Sequence, residues 1–162
     1  MLRWLILSLV IIALDQASKQ LAEATLLVYE TIPVMPFFNF TLAYNEGAAF
    51  SFLSDQGGWQ RWLFSGLAAV VTLVLIGWLS RLRDERILAI ALSLVIGGAV
   101  GNLIDRLLFG HVIDFLDIYY GTWHWPAFNI ADSAITIGVL LLLLDSFFEG
   151  RGQAPREPLN KL

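Results

Sequence analysis

The chain has no cysteine, which excludes disulfides, thiolate metal sites and cysteine nucleophiles together. Charge is scarce too, at 15% of residues, and basic residues cluster nowhere beyond Arg81-Leu82-Arg83 and nearby Arg86. The net charge of −4 therefore points to no nucleic acid, and none is expected as a partner. Only two histidines are present, so His111, Asp114 and Asp117 are the one grouping that suggests a divalent metal, and no second ligand cluster supports it. No internal repeat is visible.

What is present is hydrophobic. Apolar residues make up 57% of the 162-residue chain and mean hydropathy is +0.70, which is foreign to a soluble domain. Four stretches have the roughly 20 apolar residues that cross a bilayer. They cover about residues 2–24, 59–80, 87–108 and 131–148. The expected fold class is an all-α membrane protein: four transmembrane helices in one domain over residues 1–150, with a small periplasmic β-sheet and a short interfacial helix. Residues 151–162 form a cytoplasmic tail expected to be disordered. Arg3, the group Arg81, Arg83 and Arg86, and then Arg151, Arg156 and Lys161 all fall on one side. Only Lys19, Arg61 and Arg106 fall on the other, so both termini are expected to be cytoplasmic. The first run has the outline of a secretory signal, down to Ala22-Glu23-Ala24. Asp15 and Lys19 interrupt it, however, and it reads as an uncleaved first helix.

Between the first two spans, Pro33, Pro36, Asn39, Asn45 and Gly47 break the chain, while Val34 and the run Phe37 to Leu42 favour strand. Phe50-Ser51-Phe52-Leu53 is too short to span and reads as the interfacial helix. Val112–Tyr120 reads as a second strand region, and Trp123-His124-Trp125 as an aromatic anchor at the membrane surface.

Ionisable groups inside such apolar sequence are expensive and suggest function. Asp15 and Lys19 are i,i+4 on one helix face, which also fits a plain structural ion pair. At 1.5 Å per residue, Asp15 lies about 18 Å beyond Arg3, and Asn102 about 22 Å beyond Ile87. Gly98, Asn102, Asp105 and Arg106 form a stripe on the third span, and Asp132 opens the fourth. Polar groups of three helices thus reach one depth, in the outer half of the bilayer. Scattered caps have no reason to coincide in this way. Taken alone, Asn129 followed by Asp132 also reads as a helix N-cap with an acid three residues on.

Several chemistries fit this layer. A Ser-His-Asp triad would need Ser133 or Ser51 to meet His111 or His124, without a nucleophile-elbow sequence. A Ser133–Lys19 dyad would have a base already held charged by Asp15. Two aspartates fit best, because carboxylates sharing a small site cannot both ionise easily. One then activates water while the other protonates the scissile carbonyl, a scheme that needs neither cofactor nor metal. A proton-coupled transporter or channel subunit is the alternative, but polar groups along a full path and a repeat would then be expected.

Five blocks carry a resemblance. They are Asp15-Gln16-Ala17-Ser18-Lys19, Asn45-Glu46-Gly47-Ala48-Ala49-Phe50, the run Gly97 to Arg106, Val112-Ile113-Asp114-Phe115-Leu116-Asp117, and Phe128-Asn129-Ile130-Ala131-Asp132-Ser133. In this order they resemble the lipoprotein signal peptidases, or signal peptidase II, a family of aspartyl proteases of the bacterial inner membrane. The resemblance implies an endopeptidase that removes the signal peptide from diacylglyceryl-modified prolipoproteins, cutting before the lipidated cysteine near the periplasmic face. It implies Asp114 and Asp132 as the catalytic pair. Asn45, Gly98, Asn102, Arg106 and Asn129 would bind substrate or order the site, and Asp15, Lys19 and Asp105 would be structural. The expected partners are the prolipoprotein and membrane lipid, and the chain is expected to act as a monomer.

Overall fold

The computed structural model describes residues 1–47 and 58–152, apart from the side chains of 149–152. The expected interfacial helix at Phe50–Leu53 and residues 153–162 of the tail lie outside the described residues. After a short 3-10 turn (Leu2–Trp4), the helices are α1 (Leu5–Thr25), α2 (Trp59–Arg81), α3 (Arg86–Leu108) and α4 (Ile130–Gly152). All four contain windows long and apolar enough to cross a membrane.

The third helix, α3, is the central one. Within its span 56% of residues are buried, against 22, 17 and 17% in α1, α2 and α4, whose outer faces carry exposed leucine, valine and isoleucine. An apolar exterior of that extent suits lipid and not water. Since lipid is as apolar as leucine, helices associate here through close packing and polar contacts. A Cβ at Gly98 would collide with the Ala131 carbonyl oxygen, and one at Gly97 would lie 2.9 Å from the Ile11 Cβ. These glycines draw α3 against α4 and α1. Ser8 adds a cross-link, its hydroxyl donating to the Ser93 carbonyl at 2.7 Å.

The sheet follows the C-terminal ends of α1 and α3 and precedes α2 and α4, so it sits at one end of the helices. Its four antiparallel strands run in sequence order: β1 (Thr31–Met35), β2 (Phe38–Asn45), β3 (Val112–Tyr120) and β4 (Trp123–His124). Phe37, expected as the first residue of a strand, lies instead in the β1–β2 turn with φ of 71°. Pro36 sets up that turn, and the following position demands a left-handed backbone. Trp123 and His124, expected only as a surface anchor, also form a strand and pair with Tyr120 and Tyr119. From Trp125 the chain returns along β3, with a bridge from Phe128 to Leu116, and enters α4 at Asn129. That return brings the start of α4 beside Asp114.

Candidate active site

Asp114 lies on β3 opposite Ala43 and is 3% exposed. Both of its oxygens accept amide hydrogens. Asn129 Nδ2 donates to Oδ1 at 2.7 Å, and Asn45 Nδ2 to Oδ2 at 3.2 Å. Asn129 serves two purposes with one side chain, because its Oδ1 accepts the Asp132 backbone N–H at 2.9 Å. That bond caps α4, as the sequence suggested, and it frees the Asp132 carboxylate from capping. Asp132, half-buried, instead accepts Asn102 Nδ2 at 2.7 Å.

Behind Asn102 lies a closed ionic cluster. Lys19, 1% exposed, places Nζ 2.8 Å from Asp15, 2.7 Å from Asp105 and 2.9 Å from Asn102 Oδ1. With its oxygen held by a cation, the Asn102 amide must turn its NH2 toward Asp132. Asp15 also accepts the Ala131 N–H at 2.9 Å, and Asp105 accepts the Ile113 N–H at 3.2 Å. The two acids therefore tie α1 and α3 to the start of α4 and to β3. Gly101 leaves room for this, since a Cβ there would lie 2.6 Å from Asp15 Oδ2.

Arg106 does not pair with Asp105, whose oxygens are taken by Lys19, Gln16 and Ile113. Its guanidinium reaches the carbonyls of Gly47 at 3.3 Å and Asn102 at 3.4 Å, and sits 5.7 Å from the Phe64 ring. Its Nε is buried with no partner among the described residues. The guanidinium therefore keeps donor capacity at the edge of the site.

Burial pushes the Asp114 carboxyl up to about 7, and the negative charge of Asp132 adds to the effect. The bonds from Asn45 and Asn129 and the charge of Lys19 oppose it and do not overcome it. Two carboxylates thus act on one another in one site, Asp114 poised to hold a proton near neutrality.

The rival arrangements are not assembled among the described residues, which do not include Ser51. The Ser133 hydroxyl donates to the Asn129 carbonyl at 2.9 Å, and Lys19 is enclosed by acids. His111 lies against Tyr44, with ring centroids 4.2 Å apart, and near Phe109. Asp114 and Asp117 are each held by their own partners, Asp114 by Asn45 and Asn129 and Asp117 by Asn39 and His124. Among the described residues no three His, Cys, Asp or Glu side chains converge as a metal would require.

Three polar partners escaped the sequence reading. Gln16 Nε2 donates to Asp105 Oδ1 at 2.7 Å, and its place beside Asp15 inside an apolar run was a usable signal. Asn39 and His124 both bond Asp117, and nothing local in the sequence couples them.

Fold and site together define a polytopic helical membrane protein built around two interacting carboxylates, one buried and one half-buried. The model of the family described as signal peptidase (SPase) II matches residues 7–148. The lipoprotein signal peptidase of Acinetobacter baylyi is 56% identical over 146 residues, covering 90% of this chain and 82% of that one. That of Pseudomonas syringae pv. tomato is 57% identical over 149 residues, covering 90 and 86%. A bacterial membrane enzyme solved by the in meso method at 2.3 Å resolution superposes with a TM-score of 0.84 at 29% identity, over 96% of this chain and 94% of that one. The chain belongs to the signal peptidase II family.

Proposed function

We propose that the chain is an aspartic endopeptidase that removes the signal peptide from diacylglyceryl-modified prolipoproteins, with Asp114 and Asp132 as its catalytic pair. The observation that carries the mechanism is the shared network in which Asn129 caps α4 and bonds Asp114 while Asn102 bonds Asp132. Asp132, held by the amide of Asn102, is the ionised member and draws a proton from water. Asp114, protonated, donates to the carbonyl oxygen of the scissile bond. The oxygen of that water bonds to the scissile carbon, and the tetrahedral centre collapses as Asp132 passes its proton to the amide nitrogen, the C–N bond breaks and Asp114 takes its own proton back. Arg106 holds a substrate carbonyl with its spare donors. Membrane depth matters to this scheme, because a peptide backbone there must find partners in the protein. A transporter gains no support, since the polar cluster occupies one end of the helices. Purified protein incubated with a diacylglyceryl-modified prolipoprotein should release the signal peptide, and no release would end the reading.

The pH profile follows from the buried acid. Because the Asp114 carboxyl is raised to about 7, its protonated form prevails below that pH and is lost above it. The value of kcat/KM should fall about tenfold per pH unit on the alkaline side. A raised carboxyl binds its proton more tightly folded than unfolded, so stability should also decline as pH climbs from 3.8 toward 7. Asp114→Asn should remove that slope. A rate that is flat from pH 6 to 9 would contradict the assignment.

The site faces the periplasm, both termini are cytoplasmic and the membrane is the bacterial inner membrane; the Lys/Arg asymmetry supports this orientation. Reporter fusions after Arg83 should report cytoplasm and fusions after Gly121 periplasm. The reverse pattern would sink it.

A further inference from the structure

Away from the carboxylate pair, a groove of about 590 Å³ lies over the sheet, with Thr31, Thr41, Asp117 and His124 in its lining. Asp117 is 6% exposed and three residues along β3 from Asp114. It accepts Asn39 Nδ2 from β2 at 2.7 Å. On its other side His124 Nδ1 lies 2.9 and 3.0 Å from its two oxygens, and an acceptor-only carboxylate requires the proton on that nitrogen. One buried carboxylate therefore cross-links β2, β3 and β4.

The cross-link matters because of what comes next in the chain. Asp114 and Asp132 belong to β3 and α4, and the segment from Gly121 to Asn129 is the covalent link between them. Pro126, inside that segment, has no N–H. The backbone bonds that hold the return to β3 are donated by Trp125 and Phe128 and, from β3, by Phe115 and Leu116 to the Phe128 carbonyl, which leaves residues 126 and 127 to be fixed from either side. A buried carboxylate is costly unless it is satisfied, so the burial of Asp117 demands that His124 sit where it does. From His124 the chain needs only five residues to reach Asn129, which touches both Asp114 and the Asp132 backbone.

We propose that Asp117 and His124 are positioning residues: a side-chain latch that locks the return segment onto β3 and so sets Asp132 against Asp114. The proposal rests on the peptidase reading above. A misplacement of that link by an ångström shifts one carboxylate relative to the other and slows the chemical step without touching substrate affinity.

The test compares His124→Ala, His124→Asn and Asp117→Asn with wild type in the prolipoprotein assay. A second readout uses spin labels at Ile118→Cys and Ile137→Cys, which are exposed on β3 and α4 in a chain free of other cysteines. His124→Ala and Asp117→Asn should lower kcat between about tenfold and a hundredfold at unchanged KM, and broaden the label distance distribution. His124→Asn, which keeps an N–H near the position of Nδ1, should restore most of both. A rise in KM alone would make the groove a substrate subsite and overturn the latch. Full turnover per folded molecule, or no rescue by His124→Asn, would overturn it as well. If wild type itself cuts nothing, the peptidase reading fails and the labels alone decide: a broadened distribution upholds the latch, an unchanged one removes it.

Discussion

Asp114→Asn and Asp132→Asn should each abolish cleavage of the lipid-modified precursor, with the double variant little worse than either. Each substitution removes one member of a proton-sharing unit, and such losses cost on the order of 10⁴-fold in rate without adding when combined. The fold should survive both changes. Asparagine at 114 retains one oxygen for the 2.7 Å bond from Asn129 and gives up the longer bond from Asn45. At 132 the capping bond is unaffected, because it runs from the backbone N–H of that residue to Asn129 Oδ1. The structure thereby separates two roles that coincide in sequence: Asn129 is the cap, and the Asp132 carboxylate is left to Asn102. Ser133→Ala should keep most of the activity, since its hydroxyl only bonds the carbonyl one turn back. Chelators should have no effect. The assay is signal-peptide release per folded, membrane-inserted molecule. A folded Asp132→Asn protein that still cuts the precursor would end the two-aspartate scheme.

Much of this architecture was legible because it depends on composition and period. The four spans follow from hydropathy, and β3 begins and ends at the residues the β-branched and aromatic run suggested. The common depth of Asp15, Lys19, Asn102 and Asp132 came from counting 1.5 Å rises, and the direct bonds among these groups agree with it. Sequence spacing failed where one side chain must choose between neighbours. Asp105 and Arg106 read as one stripe, yet Asp105 turns to Lys19 on α1 while Arg106 turns to Gly47 and Phe64. Adjacent helical residues point about 100° apart, and only the tertiary arrangement says what each meets. Phe37 was misread for a different reason, because turn chemistry at Pro36 overrides the strand preference of an aromatic residue. Asn39, 78 residues from Asp117, gives no local signal at all.

Lys19→Met should produce the largest loss of stability of any single change outside the pair. The ammonium neutralises two acids, Asp15 and Asp105, that are both 0% exposed. Removing one partner of a buried ion pair costs about 3–5 kcal/mol, because the remaining charge has no compensation. Here two carboxylates are stranded, and they escape the full penalty only by taking up protons. Once protonated they are no longer acceptor-only, so the bonds from Ala131, Ile113 and Gln16 have to be remade. A rate effect should accompany the loss. Without Lys19 on its oxygen, the Asn102 amide keeps there only the longer bond from Asn129 Nδ2, at 3.3 Å, and can more readily withdraw its NH2 from Asp132. Turnover per folded molecule should therefore fall as well, which a purely structural ion pair would not require. Adding Asp15→Asn and Asp105→Asn to Lys19→Met should recover much of the stability, because no charge is left unpaired, while turnover stays low. Thermal unfolding in detergent and turnover normalised to folded protein measure the two effects separately. A Lys19→Met protein within about 1 kcal/mol of wild type would show that the two acids do not depend on the lysine, and the cluster would lose its place as the foundation of the site.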